Sequence, residues 1–104
     1  MKVIKLQEQF SKGDCDFIQL EREGNKALYQ RTYRNSGVKN YEVITVKASP
    51  SLTVTSDGTF TKNKEVLKEY YPSDEQFGQN GWWFTDYQRA KEYYDAKEPV
   101  FGGV

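Results

Sequence analysis

The 104 residues of this chain include no histidine and a single cysteine, which narrows the chemistry its side chains can do. That removes the commonest general base and a leading metal ligand, and with them every Ser-His-Asp or Cys-His nucleophile and every His/Cys zinc arrangement. Cys15 sits between Asp14 and Asp16, whose charges disfavour a thiolate, so it reads as a structural residue. Asp14-Cys15-Asp16 and Ser73-Asp74-Glu75 are the two acidic clusters. Neither has the ligand number or spacing of a calcium loop, and both read as loop acids and a helix cap rather than metal sites. Gly78 to Gly81 and Gly102-Gly103 lack the strand-then-helix spacing of a phosphate loop. Two acids at glycosidase separation are available to any chain with fifteen carboxylates. A domain of this size also leaves little room for a pocket of about 300 Å³ beside a core. The expectation is a protein with no catalytic residues, no metal and no cofactor.

Aromatic rings are the remaining resource. Nine of the sixteen lie between Tyr70 and Tyr94, and each buried ring removes about 150–250 Å² from water. With few Leu, Ile and Met to draw on, most of these rings belong to the core. Those left exposed, Trp82, Trp83 and Tyr70 or Tyr71, are the candidates for anchoring a protein partner, since Trp and Tyr are over-represented among interface hot spots. Adjacent residues in a strand point to opposite faces, so one of Trp82 and Trp83 is expected to be more exposed than the other. The alternative is single-stranded nucleic acid, its bases stacked on the same rings and its phosphates met by Lys62, Lys64, Lys68, Arg89 and Lys91. Fifteen basic residues balance fifteen acidic ones, which argues against a general nucleic-acid binder and leaves only a local patch. No apolar run approaches the roughly 20 residues that span a bilayer, and Met1 to Phe10 lacks the apolar stretch of a signal peptide. A soluble, cytoplasmic protein without a membrane partner is expected.

The elements that must hold these rings follow from local signals. Residues 1–104 form one domain by length. Residues 1–16 are an entry segment in which Val3, Ile4 and Leu6 add a short edge strand and Ser11-Lys12-Gly13-Asp14 breaks it. Phe17 to Arg34 is a hairpin turning at Gly24-Asn25. Its register sets Glu23 against Lys26, Arg22 against Ala27, Leu20 against Tyr29 and Ile18 against Arg31. Ile18, Leu20, Ala27, Tyr29 and Tyr33 then share one face. Tyr41 to Ala48 is apolar on both faces, as in a central strand, and Ser49-Pro50-Ser51 ends it. Asp57-Gly58 is a type I′ turn signal for a second, more polar hairpin. Lys64 to Tyr71 favours a strand, because a helix would stack Lys64 over Lys68 and Glu65 over Glu69. Within residues 72–98, Ser73-Asp74-Glu75-Gln76 and Thr85-Asp86-Tyr87-Gln88 both have capping-box form, and the second opens a helix from Asp86 to about Lys97. That helix carries Tyr87, Ala90 and Tyr94 on one face and stops before Pro99, leaving residues 99–104 as a tail. The fold class is α+β: an antiparallel meander of about four or five strands with one C-terminal amphipathic helix packed on a face.

Tyr41-Glu42-Val43, then Tyr71-Pro72-Ser73-Asp74-Glu75-Gln76-Phe77-Gly78, then Gly81-Trp82-Trp83-Phe84-Thr85 and a short helix resembles small uncharacterised proteins encoded in bacteriophage and prophage genomes. The likeness covers about Ala27 to Ala96 and departs at the Leu52 to Thr61 hairpin, where a shorter connection is expected. It implies a phage-derived accessory protein in a bacterial cytoplasm and a helix packed on a meander. It carries no activity and no functional residues. The leading expectation is a protein-interaction module that engages a bacterial or phage protein through exposed aromatics.

Overall fold

The computed structural model describes residues 2–73 and 76–101. It has eight strands and one helix: β1 (Lys2–Ile4), β2 (Gln9–Lys12), β3 (Cys15–Glu23), β4 (Lys26–Tyr33), β5 (Lys39–Thr45), β6 (Lys47–Val54), β7 (Phe60–Tyr70), β8 (Gly81–Phe84) and α1 (Tyr87–Ala96). They make a five-stranded antiparallel sheet, ordered β2-β3-β4-β5-β8, and a three-stranded sheet, ordered β1-β7-β6. The α+β class, the meander and the single C-terminal helix on one face follow the sequence expectation. The second, more polar hairpin is the β6–β7 pair, and the separate sheet it forms with β1 was not expected. Its presence fits a radius of gyration of 15.4 Å, against about 13 Å for a compact chain of this length.

The five-stranded sheet is covered on both faces, which is why its central strand is apolar on both. On one face Leu28 and Val43 meet Ala90 and Tyr94 of α1. On the other, Ala27, Tyr29 and Ile44 pack with Cys15, Phe17 and Val46, and the half-buried Leu6, Phe10, Tyr71 and Phe77 lie against them. The entry segment therefore supplies core residues. Ser11 and Lys12 do not break it; they belong to β2, which turns through Gly13-Asp14 into β3. β1 pairs in parallel with β7, Val3 opposite Leu67.

The first hairpin keeps its turn and loses its register halfway. Glu23 faces Lys26 and Arg22 faces Ala27 as expected, but a bulge between Gln19 and Glu21 then sets Gln19 opposite Tyr29 and Phe17 opposite Arg31. One extra residue exchanges the two faces. Cys15 and Phe17 turn inward, while Ile18 and Leu20 stand exposed. The gain is aromatic packing, because Phe17 stacks on Phe10 at 4.7 Å between centroids and meets Tyr71 edge-on at 5.4 Å. Tyr41 to Ala48 is not one strand: β5 stops at Thr45 and Lys47 opens β6 in the other sheet, so Ser49-Pro50-Ser51 ends no strand. β6 runs through it with a bulge at Pro50/Ser51, tolerated because β6 is an edge strand with no ladder partner on its outer side.

At the tip of the β6–β7 hairpin only Gly58 has a positive φ, and Thr55 N–H bonds the Thr59 carbonyl. The turn is thus a three-residue loop closed by a left-handed glycine, not type I′. Asp57 accepts from the Thr55 hydroxyl, the Thr59 hydroxyl and the Thr59 N–H, and these bonds hold its carboxyl down to about 2. Gly24 is under a second constraint besides its φ of +57°, since an added Cβ would stand 2.6 Å from the Val100 carbonyl oxygen. At Gly58 nothing lies within 4 Å, so Gly58→Ala is expected to cost only the left-handed backbone, about 1–2 kcal/mol. Urea unfolding of Gly24→Ala should show a larger loss; equal losses would mean that the Pro99-Val100 segment is not held against this turn.

Candidate functional site

The aromatic segment enters the sheet as β8, which pairs with β5 through Val43↔Trp82 and Glu42↔Trp83. That register fixes where the two tryptophans go. Trp82 shares a face with Val43 and Leu28, the helix side, and its ring lies 5.2 Å from Tyr93 with Lys97 Nζ 4.5 Å above it. Phe84 joins them, 5.4 Å from Tyr93. Trp83 points to the opposite face, in line with Glu42 and Tyr29, and remains 51 % exposed at the edge of the sheet. Tyr70, at the end of β7, is 36 % exposed.

Tyr71, named with Tyr70 as a possible exposed anchor, is instead half-buried against the core. Its ring meets Phe10, Phe17 and Tyr29 edge-on at 5.2–5.4 Å, and its hydroxyl donates to Glu42 Oε1. Glu42 is 2 % exposed, and its other oxygen accepts from Arg31 Nη1 at 3.1 Å. Arg31 Nε in turn donates to Cys15 Sγ at 3.2 Å, and the guanidinium lies over Tyr33 at 5.0 Å. The lone cysteine is thus a buried acceptor. This Cys15–Arg31–Glu42–Tyr71 chain was not read from the sequence, although a glutamate inside a doubly covered strand has to find a donor.

The basic residues of the nucleic-acid alternative do not converge. Lys62 and Lys68 are exposed on β7 of the small sheet, and the Lys64 side chain lies outside the described residues. Arg89 and Lys91 are on α1, which packs against β4, β5 and β8 of the other sheet. Lys91 is already engaged by Glu21 at 2.6 Å and Asp95 at 2.9 Å, and the two carboxylates raise its pKa well above the ordinary lysine value.

Both capping signals have a physical counterpart, one of them displaced. Gln76 Oε1 accepts from Ser73 N–H at 3.1 Å, the side-chain half of the expected box. Asp74 and Glu75, the rest of that acidic cluster, lie outside the described residues, as do Gly102 and Gly103. In the second signal Asp86, not Thr85, is the N-cap of α1, its carboxylate accepting from Gln88 N–H at 3.2 Å. At the other end Lys26, 4 % exposed, donates to the Tyr94 carbonyl at 2.8 Å and stands 4.3 Å over the Tyr94 ring. A cation at a helix C-terminus is favoured by the dipole, so this lysine ties the first hairpin to α1. Among the described residues no three His, Cys, Asp or Glu side chains gather as a metal site, and no helix is long and apolar enough to cross a membrane. No family model, no curated protein and no solved structure matches the chain.

Proposed function

We propose that this chain is a phage- or prophage-type accessory protein of the bacterial cytoplasm that works without catalysis, as an interaction module engaging a bacterial or phage protein at the β8 edge. The observation that carries the reading is Trp83: a half-exposed tryptophan on a strand, facing away from the helix that occupies its neighbour Trp82. A rigid, exposed indole is the side chain most enriched among interface hot spots.

Its setting supports strand addition as the mode of contact. Edge strands are normally blunted by charge, proline or a bulge. β6 has Pro50 and a bulge, and β2 has Lys12, whereas β8 reads Gly-Trp-Trp-Phe with none of these. A partner's extended segment laid along β8 would bury Trp83 and leave Trp82 where it is.

The two tryptophans should therefore separate experimentally. Trp83→Ala is expected to cost less stability than Trp82→Ala and to weaken partner binding by at least about 2 kcal/mol, roughly thirtyfold. Trp82→Ala, which loses Tyr93 and Lys97 as neighbours, is expected to lower stability instead. Affinity capture from bacterial lysate with wild type and both variants, alongside urea unfolding, checks this. Recovery of the same stoichiometric protein by Trp83→Ala would remove β8 as the site.

A further inference from the structure

Where the two sheets meet, a cleft of about 480 Å³ opens between β1, β7, the Gly24-Asn25 turn and the Val100-Phe101 segment. That is the volume of a small-molecule site. Val3, Leu6, Val46 and Leu67 give it an aliphatic part, and Val100 and Phe101, both well exposed, form a lip.

The charges around it cancel. Lys5 and Arg22 face Glu8 and Glu69, two of each sign, and Arg22 and Glu69 already neutralise one another through two hydrogen bonds of 3.0 and 2.7 Å. A charged ligand would lose its water here without meeting a net opposite field. A neutral one would not. Two polar groups in the lining retain hydrogen-bonding capacity among the described residues. Asn25 spends its carbonyl oxygen on Val100 N–H and keeps its amide hydrogens, while Gln19 donates to the Tyr29 hydroxyl and keeps its carbonyl oxygen.

We infer that this cleft is a binding site for a small, neutral, largely apolar molecule, one polar edge of which accepts from the Asn25 amide or donates to the Gln19 carbonyl. The site is separate from β8 and does not depend on the interaction reading.

The test uses the full chain and N-phenyl-1-naphthylamine, a neutral aromatic amine with one N–H donor, whose emission rises in apolar surroundings. Saturable binding of one dye per chain is expected, with the anionic relative 8-anilinonaphthalene-1-sulfonate at least about tenfold weaker. Val3→Asp, which puts a charge in the wall, and Leu67→Phe, which fills the space, should each weaken the neutral dye by about tenfold while circular dichroism stays that of wild type. Trp83→Ala should bind it as wild type does. Equal binding of the two dyes would overturn the inference, as would binding unaffected by either wall variant.

Discussion

Glu69→Ala is expected to cost about 3–5 kcal/mol and to release the three-stranded sheet before the rest of the molecule unfolds. Glu69 is 5 % exposed on β7, and its carboxylate collects three bonds from outside its own sheet. Oε1 accepts from Leu6 N–H at 2.8 Å and Arg22 Nη1 at 3.0 Å, and Oε2 accepts from Arg22 Nη2 at 2.7 Å. Arg22 is fixed in turn by its Nε–H bond to the Gly24 carbonyl at 2.8 Å. One side chain therefore joins β7 to β3 and to the segment after β1. A three-stranded sheet with no helix of its own has little independent stability. Alanine would leave the guanidinium and the Leu6 N–H without their acceptor at that joint. Urea unfolding measures the loss, and hydrogen exchange should show β6 and β7 amides losing protection ahead of β3 to β5. A loss below about 1 kcal/mol would put the pair in the class of solvated surface bridges.

The same carboxylate sets an acid limb. Burial by itself raises the Glu69 pKa, but the bonds from Arg22 and Leu6 outweigh it and hold the group below its ordinary value. A carboxyl depressed in the folded state stabilises the fold above the unfolded pKa, about 4.3, and that contribution is lost as pH falls through the lower folded value. Asp57 and Asp16, also held low, add to the limb from exposed positions. Glu69→Gln should thus narrow its stability gap to wild type as pH drops below about 4.

What could be read from the sequence was local, and what could not was decided between distant residues. The Gly24-Asn25 turn, the two-faced pattern from Tyr41 to Thr45 and the Ala90-Tyr94 face of α1 each depend on neighbours within a few positions, and each has its place in the fold, whereas Tyr87 of the same stripe stays exposed beside Tyr41. The bulge at Leu20 gave no such signal. Alternation favoured Ile18 and Leu20 inward, but Phe10 and Tyr71, far along the chain, make Phe17 the better core residue. The parallel β1–β7 pairing joins residues more than sixty positions apart, and nothing in Lys2–Ile4 names its partner. Of the candidate site, the division of Trp82 from Trp83 follows from strand geometry alone. Tyr71 was harder. Tyr70 and Tyr71 are alike by composition, and which of them turns inward depends on an acceptor, Glu42, contributed by another strand.

That acceptor makes Tyr71 the second position where a single change has a large expected effect. Tyr71→Ala would open the four-ring cluster of Phe10, Phe17, Tyr29 and Tyr71 and strand one oxygen of a buried carboxylate, for an expected loss of about 3–5 kcal/mol. Tyr71→Phe keeps the ring and isolates the hydroxyl. Among the described residues Glu42 would then retain only Arg31, and the expected loss is about 1–3 kcal/mol. The phenol also carries a pH signature. Burial first, and the Glu42 charge second, push its pKa far above the ordinary tyrosine value of about 10. A group raised in the folded state contributes stability that is complete below the unfolded pKa and fades as pH rises past it. Wild type should therefore lose thermal stability above about pH 10, and Tyr71→Phe should lose less, so that the gap between them closes. Burial also raises Tyr29, which leaves the variant a residual alkaline limb. Melting curves from about pH 8 to 11 decide the matter. A gap that stays constant across that range would mean a solvated phenol, and Tyr71 would return to the surface beside Tyr70 as a candidate contact.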